Sequence, residues 1–239
     1  MRFLPVILAI GMAACTPVSV DAPDRTPLPV LQAAPEQPRV SSRQAARNFN
    51  IAVARIEPVA EQWCRRESPR QNCDFLIVVD DRPNLPANAF QTLDRNGRPI
   101  LGFTVPLIED ARNVDEIAFV MAHEAAHHIE GHIAQAQSNA VVGAALSGLI
   151  AGALGASDQA TIDQITRVGA NVGARRYSKE FELEADALGT RIAAAAGFDP
   201  LRGAQFFFRV PDPGDRFLGT HPPNADRLRT VQRVSAGLQ

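Results

Sequence analysis

Four of the five histidines lie within ten residues, at His123, His127, His128 and His132, and this cluster constrains the fold more than anything else in the chain. His123-Glu124-Ala125-Ala126-His127 is an H-E-x-x-H run. On an α-helix, residues four apart share a face, so two imidazoles can grip one metal with Glu124 beside its open side. Such a helix must be buried and apolar around the motif, and Ile117, Val120 and Met121 supply that character. Asn113-Val114-Asp115-Glu116 reads as its start, with acids in the first turn, and the pattern predicts one helix through Ile117–Gln137. A catalytic zinc needs a third protein ligand and an open position for water, whose proton Glu124 would take as it attacks a carbonyl. No histidine follows at the short spacing that would complete the set. His132 is five positions after His127, off the required face of a continuous helix, and it reads with His128 as a surface or capping histidine. The third ligand must come from another helix, and the run from Tyr177 to Asp186 offers Glu180, Glu182 and Glu184.

The rest of the chain divides into three parts. Met1–Ala14 has one charge, Arg2, and a short apolar run, which reads as a signal peptide and not as a membrane-spanning helix. Met12-Ala13-Ala14-Cys15 resembles a bacterial lipobox, which makes Cys15 a lipid-anchored first residue. Residues 15–40 are rich in proline and poor in large apolar side chains, as expected of an extended tether. Residues 41–239 hold the folded domain. Hydrophobic residues at 46% and charged residues at 21% exclude a wholly disordered chain, and a net charge of −2 gives no electrostatic footprint for nucleic acid. An exported chain meets an oxidising compartment, so Cys64 and Cys73 are either a disulfide closing a short loop or two buried thiols.

Within the domain, Phe49, Val53, Ile56, Val59, Ala60 and Trp63 predict an amphipathic helix over 42–66, bent at Pro58. Strands are predicted over 74–80 and 100–108, the second after an Asn96-Gly97 turn. Further helices are predicted over 160–196, 200–209 and 223–237. Residues 140–156 are uncharged and small. They suit a closely packed helix or loop better than a membrane-dipping hairpin or lid.

With these motifs in view the chain resembles the zinc endopeptidases of metallopeptidase family forty-eight, the HtpX-, BepA- and LoiP-like group that also includes the CaaX prenyl proteases. Ser178-Lys179 followed by Glu182-Leu183-Glu184-Ala185-Asp186 matches the family's E-x-x-A-D motif after a serine–basic pair. The resemblance implies that Glu182 is the third ligand and Asp186 a hydrogen-bonding partner of a ligand histidine, leaving Glu180 and Glu184 as solvated charges. Thr220-His221-Pro222 with Arg227 matches a late family motif, and Asn88-Ala89-Phe90 matches the edge along which members bind substrate backbone. His221 is then a removable fourth ligand or an oxyanion donor. Arg227 either clamps a carbonyl oxygen or pairs with Asp226 or another acid. Tyr177 could donate to an oxyanion but suits a core position better. The implied fold is α+β and mainly helical, a gluzincin-type domain with the H-E-x-x-H helix on a small mixed β-sheet. The implied activity is endopeptidase, with one Zn²⁺ per chain and polypeptide substrates among misfolded envelope proteins, at the periplasmic face of the outer membrane. The competing reading is a non-proteolytic, chaperone-like assembly factor with a regulatory zinc site, which would have no need of Glu124.

Overall fold

The computed structural model describes residues 31–238 apart from 34, 36, 154–157, 177 and 211–221. The signal segment, Cys15, Tyr177 and His221 lie outside the described residues. The elements run α1 (Ser42–Glu67), β1 (Leu76–Asp80), β2 (Ala89–Leu93), β3 (Pro99–Thr104), α2 (Val105–Asp110), α3 (Val114–Ile129), α4 (His132–Ala153), α5 (Gln159–Arg176), α6 (Ser178–Ala195), α7 (Pro200–Gly203), a 3-10 turn (Ala204–Phe208) and α8 (Asn224–Ala236). The fold is mainly helical with a small mixed sheet, as the sequence predicts.

α1 opens on Ser41, whose side-chain oxygen accepts from the Gln44 N–H, and continues through Pro58. Its buried stripe, from Ala45, Phe49 and Ala52 to Ile56, Ala60 and Cys64, steps by three or four residues and packs on α3. The sheet has the order β1-β3-β2, with β1 parallel and β2 antiparallel to the central β3. Gly97, at φ 79°, turns the β2–β3 hairpin, and Asp94 accepts from the N–H groups of Asn96 and Arg98 within it. Gly102 on β3 leaves room for the ring of its cross-strand partner Phe90.

Three predicted elements change. The second strand stops at Thr104 and not at residue 108, because Pro106 cannot donate to a ladder and instead sits in the first turn of α2. The predicted helix 117–137 is two helices. The chain breaks at Glu130–Gly131, where Gly131 takes φ +71° at the end of α3, and α4 begins afresh at His132. Likewise 160–196 divides into α5 and α6. The apolar 140–156 stretch is helical as far as Ala153, with Val141, Leu146, Leu149 and Ile150 exposed. No helix among the described residues is long and apolar enough to cross a membrane.

α3 lies at the centre, flanked by α1, α6 and the sheet. Ala118, Ala122, Ala125 and Ala126 are fully buried on it, and their small size lets the neighbours approach closely. Its N-terminus is capped by the Asn113 side chain, which accepts from the N–H groups of Asp115 and Glu116. Both acids are buried and hold other parts of the chain. Asp115 accepts from Asp199 N–H and pairs with Arg202, while Glu116 accepts from Arg112 N–H and pairs with Arg209. The C-terminus of α3 is held by the loop that the Cys64–Cys73 disulfide closes, with Cα atoms 5.6 Å apart. Ser68 Oγ and Gln71 Nε2 donate to the Ile129 carbonyl at 2.6 and 3.1 Å, and His128 Nε2 donates to the Asn72 carbonyl at 2.7 Å. Closing so short a loop contributes about 2–3 kcal/mol in the chain-entropy account. The described end of the proline-rich stretch rests on this body. Val40 packs on the core, Gln37 accepts from Asn113, and Arg39 pairs with Asp110.

Candidate metal centre

α3 and α6 lie against each other, and a Cβ on Gly189 would come within 3.0 Å of the His123 backbone nitrogen. That backbone-to-backbone approach puts the acidic stretch of α6 beside the H-E-x-x-H face of α3. His123, His127 and Glu182 each offer a donor atom, all within 4.8 Å of one another. The two Nε2 atoms face each other at 3.0 Å; Glu182 Oε2 is 3.5 Å from His123 Nε2, and Oε1 is 3.4 Å from His127 Nε2. Two imidazole nitrogens and a carboxylate converging at one cavity form a donor set of the kind zinc takes, and they fit that ion. Glu180 and Glu184 are not in this group, so the register in which Glu182 faces the histidines is the one the fold adopts.

The donors are held from behind. Asp186 is fully buried and accepts from His123 Nδ1 at 3.0 Å. Arg227 grips the same carboxylate with two bonds, Nε to Oδ2 at 2.8 Å and Nη2 to Oδ1 at 2.7 Å. Its Nη2 also lies 3.5 Å from Glu182 Oε2, and its guanidinium stacks over Phe207 at 4.0 Å. Of the alternatives the sequence leaves open, Arg227 pairs with "another acid", Asp186, while Asp226 pairs with Arg229.

Burial pulls the His123 imidazole down, but Asp186 and Glu182 outweigh it, and the ring is pushed up to about 10. Burial and the adjacent His123 lower His127. Burial, then His127, carries His132 down to about 4.

Two histidines depart from the sequence reading. His128 and His132 are buried and not on the surface. His128 ties α3 to the disulfide loop, as described above. His132 lies against His127, with Nδ1 to Nδ1 at 2.8 Å, and reaches Glu184 Oε2 with its Nε2 at 3.1 Å. Glu184 is half-exposed, as a solvated charge would be, yet it has this buried partner. On an unbroken helix five positions is about 140° of rotation. The left-handed turn at Gly131 removes that angle, so Gly131 was the signal that could have found His132.

Glu124 lines a cavity of about 470 Å³ together with His123, His127, Glu182 and Arg227. Its walls are apolar where Leu107, Phe119, Val120, Phe206 and Phe207 meet it. Ala87, Asn88 and Ala89 form another side, which places the start of edge strand β2 at the mouth of the site. Asn88 and Ala89, from the segment likened to a substrate-binding edge, thus line this cavity, and 89–93 proves to be a third strand. Its polar, unpatterned residues Gln91 and Thr92 hid it from a search for alternation.

Known proteins resemble part of this chain. A beta-barrel assembly-enhancing protease of Escherichia coli is 32% identical over 130 residues, which are 48% of this chain and 26% of that relative. A similarly named Vibrio cholerae protein is 37% identical over 132 residues, 49% of this chain and 27% of the relative. The match thus takes up about a quarter of each relative's length. Residues 53–235 match the description of Peptidase family M48. That span includes both donor-bearing helices, the sheet and the arginine of α8, and on it the chain belongs to peptidase family M48.

Proposed function

We propose that the chain is a zinc-dependent endopeptidase of the cell envelope, with His123, His127 and Glu182 as metal ligands and Glu124 as general base. The observation that carries this reading is the convergence of the three donors with Glu124 at the mouth of one cavity beside an open strand edge. A zinc ion held there supplies a Lewis acid for the scissile carbonyl and makes a water easier to deprotonate. Glu124 takes the proton from the attacking water as its oxygen bonds to the carbonyl carbon, then gives a proton to the amine as the C–N bond breaks. Asp186 keeps the His123 proton on Nδ1 and its Nε2 lone pair aimed at the donor centre, and Arg227 fixes Asp186 in turn. The N–H and C=O groups along β2 suit an extended polypeptide added as a further strand, and the apolar walls suit an apolar side chain. His221, outside the described residues, is proposed as a fourth ligand displaced on activation or as an oxyanion donor.

Residues 1–14 are proposed as a lipoprotein signal peptide, 15–40 as a tether from lipidated Cys15 and 41–239 as the peptidase domain. The protein would then face the periplasm from the outer membrane. The Cys64–Cys73 bridge suits that compartment. The relatives are named for enhancing beta-barrel assembly, which supports a place in envelope protein assembly, and misfolded or misassembled envelope proteins are proposed as the substrates.

Metal removal tests the reading. Casein cleavage by the purified protein should stop in a chelator and return with one equivalent of zinc. Glu182→Ala should lose both zinc and cleavage. Cleavage that persists at full rate without metal would overturn it.

A further inference from the structure

One buried imidazole in the site's surroundings belongs to none of these roles. His132, the first residue of α4, is 4% exposed and stacks flat on Phe181, with ring centroids 4.5 Å apart and an interplanar angle of 15°. Its two nitrogens are both engaged: Nδ1 with His127 Nδ1 at 2.8 Å and Nε2 with Glu184 Oε2 at 3.1 Å.

We propose that His132, backed by Glu184, is a positioning residue that fixes the tautomer and ring orientation of His127, so that the His127 Nε2 lone pair faces His123 and Glu182. This rests on the metal-centre reading above. The argument is a chain of donors and acceptors. An ionised carboxylate can only accept, so the His132 nitrogen beside Glu184 carries the hydrogen. In a neutral imidazole the other nitrogen is then an acceptor, and that nitrogen is the one against His127. His127 Nδ1 must therefore donate, which leaves its Nε2 unprotonated and directed at the donor centre.

The two ligand histidines are thus fixed in the same way by different means. His123 donates directly to a carboxylate, Asp186. His127 donates to a carboxylate through an intervening ring. The chain turns at Gly131, just before His132, and the His132 ring reaches His127 with one nitrogen and Glu184 with the other. Phe181, three residues before Glu184 on the same helix, stacks flat on that ring.

The experiment measures zinc affinity of the full chain by competition with a chromophoric chelator. His132→Phe keeps a flat ring against Phe181 and removes both nitrogens. Zinc affinity should fall about 10–100-fold, the range expected when a ligand histidine loses its outer partner. The melting temperature of the metal-free protein should stay where it was or rise. His132→Gln supplies an acceptor oxygen and should recover most of the loss. In the zinc-loaded wild type the His127 Nδ1–H should give a downfield proton resonance protected from exchange, absent in His132→Phe. Glu184→Ala, on an exposed side chain that leaves the fold alone, should weaken zinc a few-fold and add nothing in the His132→Phe background. Equal zinc affinity in wild type and His132→Phe overturns the proposal, as does a His132→Gln variant no better than His132→Phe, or additive losses in the double variant. A wild-type chain that takes up no zinc overturns the metal-centre reading, and this inference with it.

Discussion

Glu124→Gln should leave zinc content unchanged and reduce cleavage of a denatured protein by at least about 10²–10⁴-fold. The amide has the shape of the carboxylate and can still accept a hydrogen bond, but it cannot take the proton of the attacking water. Glu124 is not one of the three converging donors, so the metal should be held as before. It lines the same cavity, so an extended substrate should still bind, and the variant should retain polypeptides that the wild type releases as fragments. Zinc analysis, a fluorescent casein assay and recovery of bound polypeptide on an immobilised variant check the three parts. Cleavage within tenfold of the wild type would remove Glu124 from the mechanism. An inactive variant that has also lost zinc would make its role structural.

The second large effect is expected at Asp186. Its carboxylate is fully buried, accepts two bonds from Arg227 and one from His123, and lies out of reach of solvent. Asp186→Ala leaves the guanidinium of Arg227 buried without its two-bond partner, with Glu182 at 3.5 Å and the more distant charge of Glu124 in its place. Removing one partner of a buried pair costs about 3–5 kcal/mol, a large share of the roughly 5–15 kcal/mol that holds a domain folded. The same change frees His123 to rotate or to protonate the wrong nitrogen, so zinc affinity should drop by about 10–100-fold as well. Burial by itself would raise the Asp186 carboxyl, but Arg227 and His123 outweigh it and hold the group below the usual carboxylate range. A carboxyl depressed in the folded state adds stability above its unfolded value and loses it as pH falls through the folded one. The wild type should therefore lose stability in acid more steeply than Asp186→Ala. Denaturant titrations of the metal-free proteins at several acidic pH values test this, and parallel curves would show that the pair contributes little.

What could be read from the amino acids was whatever depends on spacing within one helix. His123 and His127 are four apart, and Glu182 and Asp186 are four apart, so each pair shares a face wherever its helix sits. α1, with its stripe from Ala45 to Cys64, was legible for the same reason. The features that were missed depend on where a helix stops or on which elements meet. His132 was misread because rotation was counted across Gly131 as though α3 continued. His128 looked superficial because the loop that buries it is brought there by the Cys64–Cys73 bridge and by bonds to residues 56 to 61 positions away in sequence. Arg227 could be paired on spacing with its neighbour Asp226, whereas its actual partner is 41 residues distant. Nor does β2 carry an alternating pattern. Its place is set by pairing with β3, a property of the partner as much as of its own residues.

The α4–α5 hairpin lies between the two donor-bearing helices along the chain, yet it packs chiefly on itself and touches α3 and α6 only near its root. His127 and Glu182 are neighbours because α3 and α6 touch directly through Gly189, whatever length of chain joins them. Closing a longer loop costs little more than closing a short one, since the entropy grows only with the logarithm of length. Beyond its root, where Ile133 and Ala136 still face the site, the hairpin should accordingly accept insertions. Length or charge should be changeable there with little effect on how His127 and Glu182 meet, so that the arm and the donor centre can be altered one without the other.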